Sequence, residues 1–272
     1  MKTATVRGKI ILTGEYAVLF GYPGIAVPAP LGISVTFEED PSTNDLSIAW
    51  KDMEGNAEWR EYLKQIISLC GTFGGALTVH SPLPLGKGMG ASTALVIAVV
   101  RCLIGDDREK ALTIEDTVNP GHSGIDFDVI WNEQPIKFVK GSEPEVIDLP
   151  DNLLKGALLI DTGEPEQQTP ELIEWVTSRK DELSEALQTI GNCSRKLQQG
   201  ESISAVFKEH NQAQKSLGVV TAKVKSLIKK IEQEGGAAKV IGSGSKTGGC
   251  GMILAINIDA SVIDDAYPTI QL

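Results

Sequence analysis

The sequence has little of what marks a secreted, zinc-binding or membrane protein. Only four cysteines occur in 272 residues, Cys70, Cys102, Cys193 and Cys250, with no CxxC pair, which argues against a disulfide framework or a zinc knuckle and predicts reduced thiols. Long apolar runs are missing. Ile10 to Leu12 is broken by Thr13, Gly14 and Glu15, and Ala94 to Val100 is stopped by Arg101, so neither serves as a signal-peptide core or spans a bilayer. A cytoplasmic location is therefore expected. Positive charge is also scarce: 25 basic residues against 36 acidic ones give a net charge of −11 and a pI near 4.8. Such a balance repels a nucleic-acid backbone or an anionic lipid surface, and neither is expected as a partner. A polyphosphate would need backbone N–H groups, a metal ion and one or two lysines to hold it against the overall field.

What is there suits a globular fold. Hydrophobic residues make up 42% of the chain and the mean hydropathy is −0.02, enough for a real core. Strand-like runs at 8–13, 24–37, 45–50 and 75–80 precede the loop SPLPLGKGMG, which feeds the apolar helical stretch STALVIAVVRCLI. The region 105–125 is polar and turn-rich, and Ile130 and Ile136 to Val139 suggest two strands around a turn at Asn132 to Pro135. Beyond about 150 come a strand at Ala157 to Ile160, helical spacing over 171–189, 201–215 and 220–234, and strands at Lys239 to Ile241 and Gly251 to Ile256. The fold class is α+β, with one boundary near Pro144 to Asp151 giving expected domains 1–148 and 149–272.

Several segments could carry chemistry. The loop Pro84 to Ser92 ends where a helix begins, and the unpaired N–H groups and dipole of a helix start attract phosphate; an ordinary turn with a Ser cap fits the same residues. It is not a Walker A loop, because Gly88 follows Gly86-Lys87 where Ser or Thr is required. A second glycine cluster, Gly242 to Gly251, reads equally as a phosphate loop or a structural hairpin. Between them stands GHSGIDFD, with Asp126 and Asp128, and Glu115 lies eleven residues before Asp126. Separated acids near a phosphate site suit magnesium, which takes a few hard oxygen ligands and keeps several waters; singly, each acid also reads as a surface charge or cap. Lys9 sits in the apolar strand pattern GKIILTGEY and implies a charge partner, unless its head snorkels to the strand edge. His80, His122 and His210 are isolated, with neither HExxH nor GxSxG nearby, and read as structural.

In order along the chain, these segments resemble the superfamily of galactokinase, homoserine kinase, mevalonate kinase and phosphomevalonate kinase, the GHMP kinases. GKIILTGEYAVLFGYPGIAVP is similar to the first motif of that superfamily, PLGKGMGASTA to its ATP-binding second motif and GSGSKTGGCG to its third. HSGID, DTGEPEQQT at 161–169 and NQAQKSLGV at 211–219 resemble mevalonate kinases in particular, so the likeness runs from Gly8 to about Ile256. It implies a two-lobed fold, with an N-terminal half like ribosomal protein S5 domain 2, a ferredoxin-like C-terminal half and a site in the cleft between them. By position it implies Asp126 as the catalytic acid/base, Lys9 beside the substrate hydroxyl, and Ser92 and Glu115 as magnesium ligands. Pro84, Gly86, Gly88, Met89, Gly90, Ala91, Ser92, Thr93 and Gly244 would surround ATP, and Glu15, Tyr16 and Thr169 would face the substrate.

The activity so implied is ATP- and Mg2+-dependent phosphorylation of the 5-hydroxyl of mevalonate to 5-phosphomevalonate in isoprenoid biosynthesis. Phosphomevalonate kinase or another small-molecule GHMP kinase is one alternative, and a non-catalytic ligand-binding sensor of the same fold is another of a different class. The partner would be a small-molecule alcohol, with no nucleic acid or membrane, and a homodimer is an assembly the resemblance allows. Four departures stand out. Tyr16 replaces the His usual in mevalonate kinases and looks more like phosphomevalonate kinases. Met89, Ala91 and Thr93 alter the second motif, and the third is longer by about two residues through Ser245, Lys246 and Thr247. The interval from Ser92 to Glu115 is short for the family, which suggests a minimal version of the N-terminal half.

Overall fold

The computed structural model of the chain describes residues 1–50, 56–150 and 152–272; Asp151, the last residue of the expected boundary, lies outside them. In chain order the elements are β1 (Lys2–Thr13), β2 (Gly24–Glu39), β3 (Leu46–Trp50), α1 (Ala57–Cys70), β4 (Gly75–His80), α2 (Ala91–Leu103), α3 (Arg108–Val118), α4 (Ile125–Asn132), β5 (Ile136–Phe138) and β6 (Glu145–Val146). They are followed by β7 (Leu158–Asp161), α5 (Thr169–Ser178), α6 (Ser184–Gln198), α7 (Ile203–Leu217), α8 (Ala222–Gln233), β8 (Ala237–Val240), β9 (Met252–Ile256) and β10 (Thr269–Gln271). The mixed α+β class expected from the sequence is the one observed. The chain divides into two compact units that interleave: one holds 1–9, 28–85 and 90–133, the other 10–27, 86–89 and 134–272. A single boundary at 148/149 differs from this division because the long strands β1 and β2 each contribute residues to both units.

In the first unit β2 pairs antiparallel with β4, and β4 parallel with β3. Alternation decides which face of β2 is buried: Ile33, Val35 and Phe37 point inward, with Val35 opposite Val79 and Phe37 opposite Leu77. The central helix is α2. Its residues Ala94 to Val100 are all fully buried, and each such Val, Leu or Ile contributes roughly 1.5–3 kcal/mol relative to exposure. Helices α1, α3 and α4 pack around it.

Two stretches depart from the sequence reading. The polar region 105–125 contains α3, started by Asp107, whose side chain accepts a bond from Lys110 N at 2.9 Å. Residues 125–132 form the helix α4 instead of a strand at Ile130, because Gly124, at φ 98°, turns the chain into a helix and DFDVIW carries no break. Helix α1 also went unanticipated, and Asn56 caps it by accepting from Trp59 N at 3.2 Å.

In the second unit the sheet runs β10-β7-β9-β8, every pairing antiparallel. Helices α7 and α8 lie on β8, and α6 packs on α7. The helical spacing of 171–189 resolves into two helices, α5 and α6, parted by a polar turn in which Arg179 Nε donates to Glu182 at 2.9 Å. The start of β2 pairs with β5, which pairs with β6.

Candidate active site

Within the first unit, three sequence-predicted residues, Lys9, Gly90 and Asp126, meet where two helices begin. Lys9, from the apolar strand β1, is buried as its pattern implied, and its partner is Asp126: Nζ to Oδ1 is 3.0 Å, with 3% of the lysine side chain exposed and 33% of the aspartate. Asp126 stands in the first turn of α4, where the helix dipole favours a carboxylate. The lysine stem runs past Gly90, the N-cap of α2. A Cβ there would lie 2.9 Å from both Lys9 Cγ and Ile130 Cδ1, and the residue has φ 74°, so only glycine fits. The open N–H groups of the first turn of α2 thus begin beside the Lys9 stem.

Asp128, the second acid of GHSGIDFD, points elsewhere: its Oδ1 is 2.7 Å from Arg108 on α3. Two residues apart on a helix, the acids face different ways. Arg101 of α2 bonds Glu133 at 2.7 Å and the carbonyl of Trp131 at 3.0 Å while lying over the Trp131 ring. These contacts fix α4, and with it Asp126, against its neighbours.

Glu115, on α3, is 1% exposed. Thr93, not Ser92, donates its hydroxyl to Glu115 Oε1 at 2.7 Å, while Ser92 is hydrogen bonded to the Tyr62 hydroxyl, which also accepts from Asn119 at 2.7 Å. Burial raises the Glu115 pKa, the bond from Thr93 opposing it in part. Its second oxygen, Oε2, is buried with no partner in hydrogen-bonding geometry, although the Asn119 amide also bears on the carboxylate. An orphaned carboxylate oxygen is costly unless a cation or donor completes it. Among the described residues no group of three or more His, Cys, Asp or Glu could hold a metal. Magnesium binds through one or two carboxylates, substrate phosphates and water. Glu115, with the Thr93 hydroxyl beside it, fits such an ion, whereas the Ser92 hydroxyl is turned to Tyr62.

In the second unit the glycine motifs are joined backbone to backbone. A Cβ on Gly88 would stand 2.4 Å from Ile241 O, one on Gly242 2.7 Å from Gly88 Cα, and one on Gly251 2.8 Å from Lys87 O. Met252 N donates to Lys87 O at 3.0 Å, and Lys87 Nζ lies 3.4 Å from Asp161 Oδ1. Gly244 packs on Val219, whose carbonyl accepts from Ser245 N at 2.9 Å. Of the remaining predicted ATP-loop residues, Met89 and Ala91 are buried, so only their backbones could meet a ligand; Pro84 is half-buried and Gly86 exposed.

The residues predicted on the substrate side are engaged within the second unit. Glu15 is buried in an ion pair with Lys239, and its Oε2 lies 3.0 Å from His210 Nε2. Burial alone would raise its pKa, but the Lys239 ammonium and His210 outweigh this and hold it down at about 2. His210 is fully buried, which pulls its own pKa down in spite of Glu15. Tyr16, at φ 65°, donates its hydroxyl to Ser243 O at 2.5 Å; burial raises its pKa and keeps it a donor. Thr169 Oγ1 lies 3.1 Å from Ser243 Oγ. Lys239 and Gln167 were not singled out from the sequence. Lys239 carried the signal used for Lys9, an ionisable residue in an apolar strand, here AAKVI.

No family model matches the chain. Among curated proteins it is similar to the mevalonate kinase of Archaeoglobus fulgidus, at 24% identity over 91% of this chain and 90% of that one. The mevalonate kinase of Thermococcus sibiricus matches at 25% over 93% and 88%. Of solved structures, the Methanococcus jannaschii mevalonate kinase superposes with a TM-score of 0.81 at 17% identity, covering 99% of this chain and 96% of that one. A mevalonate kinase from methicillin-resistant Staphylococcus aureus is 28% identical with a TM-score of 0.63 over 96% and 92%. The L. major mevalonate kinase in complex with R-mevalonate has a TM-score of 0.76 at 16% identity, over 96% and 89%. Along nearly its whole length the chain is thus similar to mevalonate kinases, and its fold is the one seen in those solved structures. The short Ser92 to Glu115 interval is taken up by most of α2 and most of α3.

Proposed function

We propose that this protein transfers the γ-phosphoryl group of ATP to the 5-hydroxyl of mevalonate, giving 5-phosphomevalonate for isoprenoid synthesis. The observation that carries the reading is the Lys9–Asp126 pair, buried on the lysine side and open on the aspartate side, at the start of α2. ATP would lie on the loop Pro84 to Thr93, its phosphates drawn by the backbone N–H groups of the Gly-rich turn and the first turn of α2. Magnesium, when bound, neutralises charge on the phosphate oxygens, and Glu115 with the Thr93 hydroxyl would hold it.

Phosphoryl transfer passes through a loose transition state, so the protein's work is positioning and charge stabilisation. Asp126 accepts or orients the proton of the acceptor hydroxyl. Lys9 fixes Asp126 by its ion pair and brings positive charge to the oxygens on which negative charge develops. Tyr16, the residue that leaned toward phosphomevalonate kinase, spends its hydroxyl on Ser243 O, so its identity has a structural reason unrelated to a substrate phosphate. Among the described residues no helix is long and apolar enough to cross a membrane, and the reading places the reaction in the cytoplasm, where ATP is made available.

The test is magnesium-dependent ADP release with mevalonate, 5-phosphomevalonate, homoserine and galactose offered separately and products identified by phosphorus NMR. Turnover confined to mevalonate supports the reading. Turnover with another acceptor moves the substrate, and ATP binding with no turnover on any of them favours a sensor.

A further inference from the structure

The segment 161–167 closes onto the third glycine motif like one strand of a ladder. Thr162 N and Oγ1 both donate to Gly251 O, at 2.9 and 2.8 Å, and Gly251 N donates to Gly163 O at 3.0 Å. Gly249 N donates to Glu164 O at 2.9 Å, and Pro165 bridges Gly248. At the end of this ladder a single side chain gathers the tip of the loop. Gln167 Oε1 accepts from Lys246 N at 2.8 Å and Thr247 N at 3.1 Å and lies 2.9 Å from Ser245 Oγ, whose hydroxyl also reaches Thr247 O at 2.6 Å, while the Gln167 Nε2 donates to Thr247 Oγ1 at 2.8 Å. The three residues so held include the insertion that lengthens this motif.

The other side of the same loop bears on Lys87 and Gly88. Ile241 O and Gly242 leave no room for a side chain at Gly88, and Lys87 O is bonded by Met252 N. Backbone packed this closely cannot shift on one side without moving the other. We infer that Gln167 is a positioning residue for nucleotide binding: by clasping Ser245, Lys246 and Thr247 it sets the loop on which Lys87 and Gly88 of the ATP loop are seated. The inference rests on the proposal above that the Pro84 to Thr93 loop takes ATP. Gln167 itself touches no phosphate; it acts through the aim of the Gly88 backbone. An amide suits the place because it supplies both the accepting oxygen and the donor that Thr247 takes.

The experiment compares wild type, Gln167→Ala and Gln167→Glu by calorimetric titration with Mg-ATP alone, by separate KM values for ATP and for the acceptor, and by thermal melting. Gln167→Ala removes every bond of the clasp, and its ATP affinity should fall about tenfold while KM for the acceptor stays within about twofold. Gln167→Glu keeps the accepting oxygen and should recover most of the affinity. ATP binding by Gln167→Ala equal to wild type overturns the inference, as does an equal rise in both KM values. Should Gln167→Ala fail to fold, Gln167→Glu decides, since an affinity as poor as that of a loop-disrupting Gly88→Ala variant contradicts rescue by the oxygen. The underlying reading fails separately: wild type that binds no Mg-ATP sinks both, whereas wild type that binds it and is matched by Gln167→Ala sinks only the role of Gln167.

Discussion

Lys9 Nζ and Asp126 Oδ1 stand 3.0 Å apart, with the lysine enclosed and a third of the aspartate side chain open. The partner is thus held by a group that cannot leave, while its free side can meet a hydroxyl. Lys9→Met keeps the stem that packs on Gly90 and removes the charge. It should lower kcat by about 100- to 1,000-fold, the scale of losing one preorganised transition-state contact. Water can still reach Asp126, so the melting temperature should move little. Steady-state rates beside a thermal melt check both; a large stability loss with unchanged kcat contradicts the assignment.

Acid should weaken the second unit through Glu15. Its pKa lies at about 2 in the folded protein against an ordinary 4.5, so its stabilisation is complete above about 4.5 and is lost as pH falls from there to 2. A shift of that size corresponds to roughly 3 kcal/mol. His210 acts in the same sense, because burial depresses its pKa and protonation below its ordinary 6.5 opposes the folded state. Glu15→Gln should cost about 3 kcal/mol at neutral pH by leaving Lys239 without its carboxylate, and should flatten the pH dependence between 4.5 and 2. Denaturant titrations across that range read both effects.

Two neighbouring glycines should respond differently to alanine. Gly86 has φ 67° with nothing within 4 Å of a Cβ, whereas Gly88 has φ 84° and Ile241 O at 2.4 Å. Gly86→Ala should cost only the left-handed backbone term of about 1–2 kcal/mol. Gly88→Ala adds a clash with backbone, so its stability loss should be larger and its ATP affinity at least about tenfold weaker. Urea midpoints and ATP titrations rank the pair, and equal behaviour of the two variants speaks against the seat at Ile241.

Glu115 should trade stability for function. Burial raises its pKa, so its ionised form destabilises the protein at neutral pH. Glu115→Gln removes that charge and should leave the melting temperature unchanged or higher. The magnesium concentration for half-maximal activity should rise about tenfold or more, since the buried carboxylate proposed to hold the ion is gone. A lower melting temperature with an unchanged magnesium requirement argues for a purely structural Glu115.

Much of the candidate site was legible because its residues break local rules. Lys9 is a charge in an apolar strand, and the glycines of 84–92 and 242–251 cluster where no helix or strand needs them. Their partners were less so. The helical geometry of 125–132 was hidden by a glycine-rich approach that reads as turns, and only with it do Asp126 and Asp128 separate toward Lys9 and Arg108. The exchange of Ser92 for Thr93 at Glu115 depends on which face of α2 meets α3, which spacing alone does not decide. Gln167 carries no signal in one sequence, since its role arises from a fold that brings residues eighty apart into contact.

The most direct test compares initial rates of ADP release by wild type and Asp126→Asn with Mg-ATP and mevalonate, alongside ATP affinity. Turnover by wild type, its near-complete loss in the variant and equal ATP binding in both are the predicted results. Turnover that survives the substitution, or a wild type that binds ATP and never phosphorylates mevalonate, contradicts the account.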